Sequence, residues 1–341
     1  MFLFHFNKAW SDFLINITCI LQSDCLHLSC KNTCCLWHTL AMTTNHPAAL
    51  SDATDITLQS MHHAAGHYEN FPVASAFLPR HLRAPIALIY SFARQADDFA
   101  DEGDLTIEQR LSALNRFRDE LDLLQAYIKP QTAFFAALGL MIRSRKLPLM
   151  PFYDLLDAFS QDVSKIRYQN YAEVLDYCSR SANPIGRLLL HLYEAATPNN
   201  IELSDNICSA LQIINFLQDI AIDFRKNDGK QRIYMCQDEL LKFDITEQQI
   251  AAYVNASMPV DNRWQQFMRF NLQRVHALLT TGKPLGRILK GRIGFEMRMI
   301  IAGGERIITK IDRVNGDIFN HRPTLNYWDW LLILTKALLK I

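Results

Sequence analysis

From about Asp55 onward, apolar residues recur every three to four positions in long segments separated by short polar or proline-containing breaks. That period belongs to helices with one buried face. Pro72, Pro79 and Pro85 punctuate the opening region, after which IALIYSFARQADDFADE is expected to run helically until Gly103. Further helices are predicted over Thr106–Tyr127, over Thr132–Arg145, from Pro151 through FYDLLDAFSQDVSK, and over Asn170–Tyr193. Ser204 reads as the N-cap of a helix ending at Asp223. FRKNDGKQRIYM then reads as a loop, followed by helices over Glu247–Asn255, Asn262–Thr280, Gly291–Ile311 and Tyr327–Leu339. No segment of comparable length alternates with period two, so the pattern predicts an all-α, single-domain helical bundle.

Composition changes this picture little. With 341 residues, 49% of them hydrophobic and only 12 glycines and 12 prolines, the chain has ample material for a helical core. Lys+Arg and Asp+Glu both number 35, which leaves no global field to draw in nucleic acid or an anionic membrane. Any charge-driven chemistry must come from local clusters. No run of about 18 uncharged apolar residues would span a bilayer as a helix.

Residues 1–50 differ in kind from the remainder. Cys19, Cys25, Cys30, Cys34 and Cys35 fall before Leu36, and none of their spacings is the CxxC pair of a zinc site. Lys8 and Asp12 interrupt the apolar start, which argues against a secretory signal. This stretch is expected to be an N-terminal extension, disordered or read from a misassigned start, that adds nothing to the fold. Cys178, Cys208 and Cys236 are the cysteines beyond it, a sparse set that suits a reducing, cytoplasmic location.

The candidate chemistry lies in two acidic stretches. In the first, Tyr90, Arg94, Asp97 and Asp101 are spaced i, i+4, i+7 and i+11, one stripe of a helix, with Asp98 one position off it. Like charges at this spacing repel, so either the stripe is a solvated helix end or something positive offsets it. In the second, Asn215, Asp219 and Asp223 recur every four residues with Gln218 beside them, amid Ile213, Ile214, Phe216, Leu217 and Ile220. A merely solvated face accounts poorly for an Asn and an Asp in such company. Two such stripes suggest oxygen ligands facing one another across a central cavity, a donor set that suits Mg²⁺ shared with substrate phosphates. The histidines do not recur at ligand spacing with these aspartates, which disfavours zinc.

These motifs resemble those of the squalene/phytoene synthase family of isoprenoid synthases. YSFARQADDFADEGD is similar to its first aspartate-rich motif, and NFLQDIAIDFRKNDGKQRIYM to its second, including Arg232 and Tyr234. RYQNYAEVLDYCSRSANPIGRLLLHLY resembles the central helices, and GFEMRMIIAGGERIITKIDRVNGDIFNHRPTLNYWDW the terminal ones. The likeness spans roughly His67 to Trp330, within a catalytic domain expected over 55–335, and is greatest to the bacterial hydroxysqualene synthase branch. Two departures stand out: NDGKQ before Arg232, and the cysteine-rich first forty residues.

The resemblance implies conversion of presqualene diphosphate and water to hydroxysqualene and diphosphate. It implies Mg²⁺ held by Asp97, Asp98, Asp101, Asp219 and Asp223, with Arg94, Arg167, Arg187 and Arg232 pairing with the diphosphate. Tyr90, Phe71, Tyr177 and Phe216 would line the pocket, and Asn183, before Pro184 in a helical pattern, would position a water. A presqualene diphosphate synthase and a flavin-dependent oxidoreductase are the expected functional neighbours. Two rivals stay open: an enzyme coupling two prenyl diphosphates into presqualene diphosphate, squalene or phytoene, and a non-catalytic helical subunit. No GxGxxG fingerprint is present, so no NADPH step is expected. The tail NYWDWLLILTKALLKI, with Trp328 and Trp330, is apolar nearly all round, which favours a buried terminal helix over peripheral membrane contact.

Overall fold

A computed structural model describes residues 79–225, 231–256 and 258–339 of the chain. The extension over 1–50, the first part of the expected domain, Phe71 and residues 226–230 lie outside them. The first helix, α1 (Arg80–Asp101), begins before Pro85 and carries that proline inside it. Proline offers no N–H to the carbonyl four residues back. Arg145 of α3 (Ala133–Arg145) supplies one instead, donating to the His81 oxygen at 3.0 Å. Between them, α2 (Ile107–Gln125) starts on a capping box in which Thr106 and Gln109 satisfy each other's backbone amides.

Helix α4 (Met150–Asp162) leads to β1 (Arg167–Tyr168). The single helix expected over Asn170–Tyr193 is instead two, α5 (Tyr171–Ser181) and α6 (Asn183–Leu192). Pro184 in the first turn of α6 forces the break, because it cannot donate to the Arg180 carbonyl. Ser204 is not a cap: α7 (Pro198–Gln218) starts two turns earlier, on Thr197, and buries Ser204 within it. A short α8 (Ile220–Arg225) follows.

The expected loop after α8 also holds a strand. β2 (Ile233–Cys236) pairs in parallel with β1, Arg167 opposite Ile233 and Tyr168 opposite Cys236. Helices α9 (Gln237–Lys242), α10 (Glu247–Ala256), α11 (Asn262–Gly282), α12 (Leu285–Ile288), α13 (Gly291–Arg313) and α14 (Tyr327–Leu339) complete an all-α architecture. The short helices α9 and α12 were invisible to periodicity because they have too few turns to show a stripe.

Two apolar cores form. One joins α1 to α4 with α6, around Phe92, Phe135 and Phe152. The other joins α5 and α7 to α14, around Ile214, Trp264, Phe267 and Ile311. At Gly186 of α6, an added Cβ would lie 2.4 Å from the Ser204 oxygen of α7, so glycine permits the two helices to touch. The terminal helix is only half buried, contrary to expectation: Trp330, Ile333 and Ala337 face the core, whereas Trp328 is 73% exposed and Leu338 and Leu339 also face outward. Among the described residues, no helix is long and apolar enough to cross a membrane.

Candidate active site

Helix α1 carries the first acidic stripe from inside the protein outward. Tyr90 and Asp97 are buried, and the side chains of Asp101 and Asp98 are progressively more open. Arg94, one turn before the aspartates, meets Asp98 at 2.7 Å, Glu102 at 2.5 Å and Asp97 at 3.6 Å. Arg232 reaches the stripe from the other side, with Nη1 3.3 Å from Asp101 Oδ1 and 3.2 Å from the Tyr234 hydroxyl. Its Nη2 donates to the Asp162 backbone oxygen. The positive partners that the repulsion called for are therefore present.

The second stripe is sealed. Asn215, Gln218, Asp219 and Asp223 are all buried. They do not share one continuous helix, since Asp219 stands at the junction of α7 and α8. The register survives the junction: Asp219 N–H donates to the Asn215 carbonyl and Asp223 N–H to the Asp219 carbonyl, each at 2.9 Å. Arg322, from the segment between α13 and α14, donates to Asp219 Oδ1 at 2.6 Å, and Gln218 donates to the Pro323 carbonyl. Both amide atoms of Asn215 and Asp219 Oδ2 are buried without a hydrogen-bond partner among the described residues.

Strand β2 stands between the stripes. The Tyr234 ring stacks on Phe216 of α7 at 3.8 Å and 7°. Tyr177 and Tyr168 complete an aromatic cluster around Tyr234. Burial raises the Tyr234 phenol, and Asp162 and Asp223 raise it further while Arg232 opposes them. Tyr177 donates to Asp162 Oδ2 at 2.6 Å. Burial pushes the Asp162 carboxyl up to about 7; Arg232 and the Tyr177 bond hold it down, and Asp101 and Asp97 add to the rise. Asp162 was not foreseen, because on a helix that also carries Asp154 and Asp157 nothing local sets it apart.

Next to this polar end lies an apolar cavity. Ile86, Tyr90 and Ala93 of α1, Phe159 of α4, Leu211 of α7 and Met297 of α13 are among its walls. Both acidic helices thus pass from cavity wall to carboxylates. Tyr90 and Asp97 are seven positions apart, as are Gln212 and Asp219, which is about 10 Å of helix rise in each case.

Other expected residues are engaged elsewhere. Arg167 forms a two-pronged pair with Glu247 at 2.6 and 2.8 Å and also donates to the Gln231 carbonyl, tying β1 to α10. Arg187 holds Asp205 at 2.7 and 3.1 Å. Asn183 accepts a hydrogen bond from Ser209 at 3.0 Å. The structure does not bring these three to the carboxylates.

The donor set fits a hard divalent cation. The unused, buried Asp219 Oδ2 and Asn215 Oδ1 are oxygen ligands in a site where desolvation without a partner is costly. A separate group, Cys236, Asp238 and Glu239, has its potential ligand atoms within 4.8 Å of one another, but Glu239 is already paired with Arg274.

A sequence profile described as squalene/phytoene synthase matches residues 64–329, both stripes included. The chain belongs to the squalene/phytoene synthase family. Like the family, it is an enzyme of isoprenoid biosynthesis. It is 35% identical to a hydroxysqualene synthase of Rhodopseudomonas palustris over 242 residues, 70% of this chain and 78% of the relative. A hydroxysqualene synthase of Sinorhizobium fredii is 34% identical over 250 residues, 71% and 79% of the two chains. A crystal structure of a squalene synthase from Alicyclobacillus acidocaldarius superposes with a TM-score of 0.69 at 31% identity, covering 79% of this chain and 97% of that one. The profile match supports the expected reach of the likeness, His67 to Trp330, to within a few residues.

Proposed function

We propose that the enzyme converts presqualene diphosphate and water to hydroxysqualene and diphosphate, using Mg²⁺. The observation that carries this reading is the course of α1 and α7, each running from the wall of an apolar cavity to carboxylates within about 10 Å. That arrangement suits a long hydrocarbon with a charged leaving group at one point. The hydroxysqualene synthases among its relatives favour water as the second reactant.

Asp97, Asp98 and Asp101 would hold the metal from one side, and Asp219, Asp223 and the Asn215 oxygen from the other. Bound there, the ion supplies Lewis-acid neutralisation of the departing diphosphate. Arg94 and Arg232 already stand at the first stripe, and their planar guanidinium groups suit diphosphate oxygens. Arg167 and Arg187 are instead taken up by Glu247 and Asp205. The apolar wall keeps bulk water from the cation left by ionisation, and the Tyr90 ring offers that cation a polarisable face. Tyr177 and Tyr234 brace Asp162 and Arg232 from below.

We further infer a catalytic unit over 55–335 that takes its substrate from a presqualene diphosphate synthase and passes its alcohol to a flavin-dependent oxidoreductase. The exposed Trp328, Leu338 and Leu339 of α14 favour peripheral contact with the membrane in which C30 lipids dissolve. Incubation with Mg²⁺ and either presqualene diphosphate or farnesyl diphosphate tests the assignment. A C30 alcohol from presqualene diphosphate alone is expected; a C30 product from farnesyl diphosphate alone would assign it to the coupling enzymes.

A further inference from the structure

Among the described residues, the cavity wall contains one acid. Glu296, on the second turn of α13, lines the cavity together with Ile293, Met297 and Ile300 of the same helix. Among the described residues, no ion pair or hydrogen bond holds its carboxyl, unlike Glu305 of the same helix, which is tied to Lys283 and Lys336. Glu296 is half-buried, and setting an ionisable group without a partner against apolar walls is costly, from which a cavity built only to enclose hydrocarbon gains nothing. A cavity that must hold one reactive water does gain, because an enclosed water needs two to four polar partners. Glu296 has company suited to that: Tyr90 of α1 and Tyr193 at the end of α6 line the same cavity, as do Ser181 and Gln212.

On the reading that this enzyme makes hydroxysqualene, we propose that Glu296 is a further catalytic residue, which holds the capturing water in the cavity and accepts its proton. The bonds balance as follows. The carbon–oxygen bond to diphosphate breaks, and both electrons leave with diphosphate. A lone pair of the water forms the new carbon–oxygen bond to the rearranged cation. One O–H bond of that water breaks, its proton passes to the Glu296 carboxylate, and the proton returns to solvent as the alcohol departs.

Burial pushes the Glu296 carboxyl up to about 8, so it is ionised above that pH and neutral below it. The titratable groups that face it from other elements do not ionise in this range. Burial raises Tyr90, helped by Tyr193, Cys208 and Glu296; burial and Glu296 raise Tyr193; and burial pushes Cys208 up to about 12. The lining residues of α4, Leu155 and Phe159, carry no charge.

The test is product partition from presqualene diphosphate with Mg²⁺, for the full-length enzyme, Glu296→Gln and Glu296→Ala, with circular dichroism to verify folding. The expected result is that the alcohol recovered per diphosphate released falls about tenfold or more in both variants. In the unsubstituted enzyme this ratio should rise with pH through about 8, and in Glu296→Gln it should be flat. The proposal is overturned if Glu296→Gln keeps the original ratio, or if the unsubstituted enzyme shows a ratio independent of pH. An unsubstituted enzyme that yields no C30 alcohol at all rejects the functional reading first, and this inference with it.

Discussion

The two acidic stripes answer the same repulsion in different ways. On α1 the charges open towards solvent, from Asp97 with its side chain 12% exposed to Asp98 at 34%, and arginines from one turn away and from just before β2 attend them. On α7 and α8 the Asp219 side chain is fully buried, and its arginine, Arg322, comes from 103 positions later in the chain. The first stripe also draws on a distant segment, because Arg232 lies 131 positions beyond Asp101, but it is open enough to exchange partners when a diphosphate arrives. The second is closed to solvent, and the charge on Asp219 is balanced only once the segment before α14 has docked.

This contrast can be broken by substitution. The largest effect is expected from Asp219→Ala or Asp97→Ala, which remove a metal ligand from a desolvated site: diphosphate release should fall about a thousandfold, roughly 4 kcal/mol of barrier. Retained release with an intact fold would show that the stripe is not a ligand set. Arg322→Ala should cost about 2–3 kcal/mol of stability in urea denaturation, since it strands a buried carboxylate. Adding Asp219→Asn should restore part of that loss, whereas Arg94→Ala, whose partners Asp98 and Glu102 are far more exposed than Asp219, should cost about 1 kcal/mol or less.

Tyr177→Phe probes the region between the stripes. Asp162 has a folded carboxyl raised to about 7, so the stability linked to its neutral form is full below the ordinary carboxylate range and is lost as pH rises through about 7. The Tyr177 hydroxyl favours the ionised form, and removing it pushes the titration higher. The variant should therefore lose about 1–2 kcal/mol, more at pH 8 than at pH 5, read from the pH dependence of Tm. The smallest effect is expected from Glu102→Gln, whose side chain is 61% exposed beside Arg94: within about 0.5 kcal/mol.

What was legible in the sequence was periodic. Asp97, Asp98 and Asp101 could be placed on one face because helical spacing fixes direction, and Asn215, Asp219 and Asp223 kept their spacing even though the helix breaks at Asp219. Features that depend on distant segments were not legible. Arg322 on Asp219, Arg145 on the His81 carbonyl freed by Pro85, and Arg167 on Glu247 join positions whose separation leaves no local trace. Asp162 and Glu296 were missed for another reason. Each is one of three carboxyls on its helix, and only the surroundings supplied by other elements distinguish an inward-facing acid from a solvated one.

The central claim is that water enters at carbon after diphosphate leaves from carbon. A single turnover of presqualene diphosphate with Mg²⁺ in ¹⁸O-labelled water tests it most directly. The account predicts one ¹⁸O in the C30 alcohol and none in the released diphosphate. Label in the diphosphate, or a C30 product without solvent oxygen, would contradict it.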